Sequence, residues 1–156
     1  AGLILGPRNA LDRIRKNPLT RSYRVDKLTL AALEATLTLY RDPARAFREI
    51  PVLAQLTTDV TSLRRRAETI LAELGMSHVE IARTDASVGG GAFPTARIPS
   101  VALAITGDAN RIETALRAGN PPIVSRVFDG RVLIDLRTIF PADDTLVAAA
   151  LREIAR

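Results

Sequence analysis

The chain has 156 residues, enough to bury the core of one medium-sized domain, and no cysteine, which excludes disulfides and cysteine-ligated metals. Its formal net charge is +5 and its basic residues are nearly all arginine (20 Arg, 2 Lys), a balance that favours polyanionic partners such as RNA or phosphate esters. Six aromatics and no tryptophan argue against base stacking as a main mode of recognition, and the single histidine, His78, supports neither a histidine-rich metal site nor a Ser-His-Asp triad.

The chain opens on Ala1, and Leu3-Ile4-Leu5 before Gly6-Pro7 reads as a strand end entering a turn, as expected of a piece cut from a longer protein. Asn9 to Lys16 predicts a short amphipathic helix, with Ala10, Leu11 and Ile14 on its apolar side, ended by Asn17-Pro18. Proline at 18 fixes one backbone angle and biases Asn17 towards an extended conformation. If the turn after it is helical, Arg21 and Arg24 project from the same side, about one turn apart. Two guanidinium forks so placed suit a tetrahedral or planar anion, although two solvated surface arginines would have the same spacing. Leu28 to Arg41 predicts a helix that is apolar nearly all round, with Glu34 as its only charge before Arg41. Such a helix needs cover on every side, so packing against another domain or subunit is expected.

Ala44 to Ile50 and Val52 to Leu56 read as short pieces separated by Pro51. Asp59 or Thr61 then caps a long amphipathic helix from Leu63 to Leu74, closed by Gly75, with Arg64, Arg65, Arg66, Glu68 and Glu73 facing out. After Gly75 the period changes to that of strands, His78 to Thr84 and Ile98 to Ile105, joined through Gly89-Gly90-Gly91-Ala92-Phe93-Pro94. Asp108 or Asn110 caps a helix from Arg111 to Arg117. Pro121-Pro122 introduces a strand from Ile123 to Phe128, and Asp129-Gly130 turns it into a second strand from Arg131 to Ile139. Asp143 or Asp144 caps a last helix, Leu146 to Ile154. The order predicts a two-layer α+β unit: a mostly antiparallel sheet of about four strands with helices on one face, preceded by a helical segment. The expected division is 1–58 and 59–156. No apolar run approaches the ~20 residues of a membrane span, so a soluble protein is expected.

Few stretches can carry chemistry. Gly89, Gly90 and Gly91 offer backbone amides near a possible active site, but a phosphate loop opens directly into a helix and this one runs into a second strand. His78 reads as an exposed or capping histidine, and Asp143-Asp144 as cap and dipole complement. No nucleophile–base pair, metal cluster or carboxylate dyad emerges, so neither a catalytic residue nor a metal ligand is assigned within the chain.

Four stretches carry a resemblance. Arg21-Ser22-Tyr23-Arg24-Val25-Asp26-Lys27 and the helix through Leu37 resemble the arginine-rich turn and following helix of bacterial selenocysteine synthases, the L-seryl-tRNA(Sec) selenium transferases. Val88 to Pro94, Ile98 to Leu103, and Pro121-Pro122-Ile123 through Arg131 to Thr138 agree in order and spacing. The glycine loop departs from the family, having Ala92-Phe93 where Ser-Leu is usual.

The resemblance implies a fold-type-I enzyme using pyridoxal 5'-phosphate, which converts seryl-tRNA(Sec) to selenocysteyl-tRNA(Sec) with selenophosphate as donor. It implies that this chain is the C-terminal part: residues 1–58 would end the large cofactor domain and 59–156 would form the small subdomain. In the family the cofactor lysine lies in a Gly-Asp-Lys-Leu-Leu-Gly-Gly-Pro-Gln segment just ahead of the position of Ala1. The isolated chain is therefore expected to be inactive, with no covalently bound cofactor, and Lys16 and Lys27 do not match the cofactor lysine. Arg21 and Arg24 match the family's anion-binding arginines, and a homo-oligomer is implied. The alternatives are a related pyridoxal-phosphate lyase or paralogue acting on a small phosphorylated amino acid, or a non-catalytic assembly or RNA-contacting module.

Overall fold

The computed structural model describes residues 2–88 and 96–154 and divides the chain into two compact units, Ala1–Leu53 and Ala54–Arg156. The glycine loop Gly89-Gly90-Gly91 lies outside the described residues.

The first unit is helical. Helix α1 (Arg8–Lys16) is followed by a 3-10 turn, Pro18–Tyr23, and by α2 (Lys27–Leu39) and α3 (Pro43–Glu49). Residues Leu3 to Leu5 are exposed and form no strand, contrary to expectation, because among the described residues no strand takes up their backbone hydrogen bonds. Asp26 caps α2 by accepting the Thr29 N–H at 2.8 Å. Along α2 no residue is buried: Leu28 is 83% exposed, Leu30 52% and Leu37 47%.

In the second unit α4 (Pro51–Thr57), which begins in the first, leads through Thr58 and Asp59 into α5 (Val60–Leu74). Asp59 is the cap, its carboxylate accepting from the Ser62 backbone N–H at 2.8 Å and the Ser62 hydroxyl at 2.6 Å. Gly75 closes the helix at φ 62°, a left-handed conformation that glycine adopts without a Cβ penalty. Strands β1 (Val79–Ser87) and β2 (Arg97–Ile105) pair antiparallel, with Ile81 opposite Leu103. Helix α6 (Ala109–Ala118), capped by Asp108, precedes β3 (Arg126–Phe128) and β4 (Arg131–Asp135); after a short 3-10 turn α7 (Asp144–Ile154) closes the unit. The sheet is antiparallel throughout, in the order β1-β2-β4-β3.

Alternation along the strands sorts the side chains. Val101, Leu103 and Ile105 of β2 and Val132 and Ile134 of β4 point to one face. There they join Leu63, Ala67 and Ile70 of α5, Ile112 and Leu116 of α6, and Val147, Ala148 and Leu151 of α7 in one buried core. The opposite face carries the small side chains Ala82, Ala102 and Ala104 with Leu133. Over it Arg131 reaches from β4 to Glu80 on β1, and Arg126 from β3 to the Thr84 hydroxyl. Both must cross β2, and alanines there leave room for them. This is the expected two-layer α+β unit with its helices on one face.

Several boundaries differ from expectation for identifiable reasons. The strand predicted from Ile123 begins only at Arg126, because the Ile123 N–H donates to the Leu116 carbonyl at 2.9 Å and its side chain joins the core. The strand predicted to Ile139 stops at Asp135, whose carboxylate accepts the Arg137 N–H at 3.0 Å and turns the chain. Between β3 and β4, Asp129 (φ 51°) and Gly130 (φ 70°) form the expected tight turn.

Two charged residues also play other parts than their patterns suggest. Arg66 does not face out: its guanidinium pairs with Asp144 at 2.6 Å and donates to the carbonyls of Leu136 (3.1 Å) and Ile139 (2.9 Å). Asp144 therefore fastens α7 to α5 and is not a helix cap.

The Asp59 cap makes one pH prediction. Hydrogen bonds from the Ser62 hydroxyl and backbone hold its carboxyl below the ordinary aspartate value. A depressed folded pKa contributes stability that is fully present above the unfolded value and is lost as pH falls through the folded one. Asn is an equally good cap that does not titrate. Asp59→Asn is therefore expected to leave neutral-pH thermal stability nearly unchanged and to flatten its decline in acid; an acid limb identical to that of the unsubstituted chain would contradict this role.

Candidate anion-binding site

The site is built by the connection between α1 and α2. Asn17, extended at ψ 130°, ends α1, and its side chain accepts the Leu19 N–H at 3.0 Å, which starts the turn at Pro18. Pro18 suits this first position because its missing N–H would have had no partner there. Thr20 ties the turn back to α1 through its hydroxyl, which donates to the Ile14 carbonyl. The turn ends where the Arg24 N–H donates to the Arg21 carbonyl at 3.4 Å.

A 3-10 turn has about three residues per repeat, so positions three apart stack one above the other. Arg21 lies within this turn, and Arg24, three residues on, is the extended residue that ends it (φ −69°, ψ 119°). Both are exposed, and among the described residues neither forms an ion pair or a side-chain hydrogen bond. The nearby carboxylate, Asp26, is committed elsewhere: the Thr29 backbone and hydroxyl (2.9 Å) bond to it and hold its carboxyl below the ordinary range.

The other candidates offer less. A groove of about 760 Å³ lies on the helix-free face of the sheet, and three of the four arginines that line it, all but Arg83, are already engaged. Arg131 pairs with Glu80, Arg126 bonds Thr84 and the Asp85 carbonyl, and Arg97 stands 3.6 Å from the Asp85 carboxylate. His78 acts through its backbone, its carbonyl accepting from the Thr106 N–H (3.0 Å) and hydroxyl (3.2 Å). No group of acidic or histidine residues among those described could hold a metal. No helix among them is long and apolar enough to cross a membrane.

Arg137 is the residue whose role sequence reasoning missed. It is only 5% exposed, and its guanidinium has no carboxylate partner among the described residues. Instead it donates to the carbonyls of Gln55 (2.8 Å), Thr58 (2.7 Å) and Pro99 (2.7 Å), so that it caps the end of α4 and fixes β2. Neighbouring Asp135 also accepts the Ser100 hydroxyl at 2.6 Å. An arginine two residues past a strand carries no pattern that separates this role from solvation.

Residues 1–140 match the family described as L-seryl-tRNA selenium transferase. The chain belongs to this family. Among similar proteins, the L-seryl-tRNA(Sec) selenium transferase of Geotalea uraniireducens is 42% identical over 164 residues, covering 100% of this chain and 36% of that protein. Those of Geobacter sulfurreducens and Moorella thermoacetica are each 42% identical, covering 99% and 97% of this chain and 35% and 34% of theirs. The chain thus spans about a third of the length of these selenium transferases. Within the family alignment lie both the arginine turn and the sheet with its buried Arg137.

Proposed function

We propose that the protein carrying this chain transfers selenium from selenophosphate to seryl-tRNA(Sec), and that this chain contributes the grip on the donor anion through Arg21 and Arg24. The observation that carries the reading is the pair of exposed guanidinium groups three residues apart, Arg21 in the turn and Arg24 at its end, neither with a partner among the described residues, in a chain whose relatives are named as selenium transferases. Selenophosphate is a compact oxyanion, and each charge-assisted hydrogen bond to it would contribute roughly 1.5–3 kcal/mol.

The proposed cofactor of the complete protein is pyridoxal 5'-phosphate, but this chain does not hold it unaided. A Schiff-base lysine works in a shielded pocket where desolvation makes it nucleophilic. Lys16 at the end of α1 and Lys27 at the start of α2 are both exposed, so neither fits. The lysine and most of the cofactor pocket belong, in this reading, to the rest of the protein. Residues 1–58 then complete the large cofactor domain, and 59–156 form the small subdomain. The apolar face of α2 finds its cover in the remaining chain or in a second subunit of a cytoplasmic homo-oligomer.

The test is direct. Incubating the complete protein with seryl-tRNA(Sec) and selenophosphate is expected to yield selenocysteyl-tRNA(Sec), read as labelled selenium retained on the tRNA. Intact seryl-tRNA(Sec) after prolonged incubation with cofactor-loaded protein would contradict the reading.

A further inference from the structure

The charge of this chain is concentrated in one place. Residues 8–27 hold seven of the 22 basic side chains and two of the 17 acidic ones. Their excess equals the whole formal charge of +5, and the other residues carry fifteen of each sign. All seven cations are exposed, and every ion pair among the described residues lies outside this segment. Of the two acids, Asp26 is committed to capping α2.

The helical period arranges these cations. On α1, Arg8, Asp12, Arg15 and Lys16 fall within one angular sector with Arg13 at its edge, while Ala10, Leu11 and Ile14 occupy the other side. The Thr20–Ile14 bond anchors the arginine turn to the end of α1 that carries Arg13, Arg15 and Lys16. The basic face and the anion grip are therefore parts of one local body.

We infer that the basic face of α1, formed by Arg8, Arg13, Arg15 and Lys16, binds the phosphodiester backbone of the tRNA substrate. The inference rests on the reading of the complete protein as an enzyme acting on an aminoacyl-tRNA. Phosphate recognition asks only for clustered, uncompensated cations, which agrees with a chain poor in aromatics. A lipid surface fits less well, because α1 offers only Ala10, Leu11 and Ile14 for insertion and no aromatic ring. The placement also suits the chemistry: the aminoacyl end of the tRNA has to reach the donor, and phosphates bound along α1 would hold that end beside Arg21 and Arg24.

The experiment measures binding of seryl-tRNA(Sec) to the complete protein across a salt series, for the unsubstituted form and for Arg8→Gln, Arg13→Gln, Arg15→Gln and Lys16→Gln combined. Gln preserves helix propensity, and circular dichroism verifies folding. Each phosphate contact contributes about 0.7–0.9 to the slope of log affinity against log salt, so the variant's slope should be shallower by about 3. Its affinity near 0.1 M salt should fall about tenfold to hundredfold, with the KM for selenophosphate unchanged. A control, Arg64→Gln with Arg65→Gln on α5, should keep the unsubstituted slope.

An unchanged slope in the folded quadruple variant overturns the inference even if selenium transfer is intact. A shallower slope sustains it as an RNA contact even if no selenium transfer is found, in which case the functional reading alone fails. Loss of binding to phosphatidylserine vesicles with tRNA binding unchanged would overturn it in favour of a membrane surface.

Discussion

Replacing Arg21 and Arg24 together by alanine in the complete protein is expected to abolish selenium transfer while cofactor binding persists. The two side chains are exposed and have no partner among the described residues, so their removal leaves no buried group unsatisfied. The loss then falls on the bound anion. At roughly 1.5–3 kcal/mol for each charge-assisted hydrogen bond, losing one from each arginine removes about 3–6 kcal/mol of donor binding, a fall of about 10²–10⁴ in kcat/KM. Arg→Lys at both positions should recover only part of it, because an ammonium keeps the charge but not the planar fork. Steady-state kinetics with varied selenophosphate, alongside the cofactor's absorbance band, separate the two functions. Unchanged transfer kinetics in the double variant would remove these arginines from the site.

The second large effect concerns the fold. Arg137→Met is expected to destabilise the second unit by about 3–5 kcal/mol, near the upper end for single substitutions. The side chain is buried and bonds carbonyls at the end of α4 and on Pro99 of β2. Methionine fills much of the volume yet leaves several acceptors without donors, at about 1–3 kcal/mol each where no water reaches them. Removing a buried charge offsets part of this, which keeps the expectation below the simple sum. Lysine at 137 should be intermediate, since a single ammonium cannot span the bonds made by both Nη1 and Nη2. Chemical denaturation of the chain checks this; a midpoint shift within the range of surface substitutions would show that the carbonyls find other donors.

How far these features could be read beforehand depended on whether their causes were local. Gly75, Asp129-Gly130 and the caps Asp59 and Asp108 act within a few residues, and each lies where its pattern places it. The alternation of β1 and β2 was readable because one sheet face is buried against α5, α6 and α7. What the pattern could not convey was long-range bonding. Arg66 looks like the neighbouring Arg64 and Arg65 until α7 brings Asp144 to it from 78 residues away. Arg137 looks like a surface arginine until the end of α4 folds over it. Ile123 reads as strand until the carbonyl of Leu116 takes its N–H. The arginine turn stood between these cases: its spacing and Pro18 were visible, while the lack of a partner among the described residues emerged only with the fold.

The central claim, that Arg21 and Arg24 grip the donor anion, is tested most directly by titrating selenophosphate into the complete, cofactor-loaded protein under anaerobic conditions and measuring the heat of binding. The account predicts saturable binding that Arg21→Ala with Arg24→Ala weakens at least a hundredfold, in a protein that still binds its cofactor and tRNA. Equal affinity in the two proteins would contradict it.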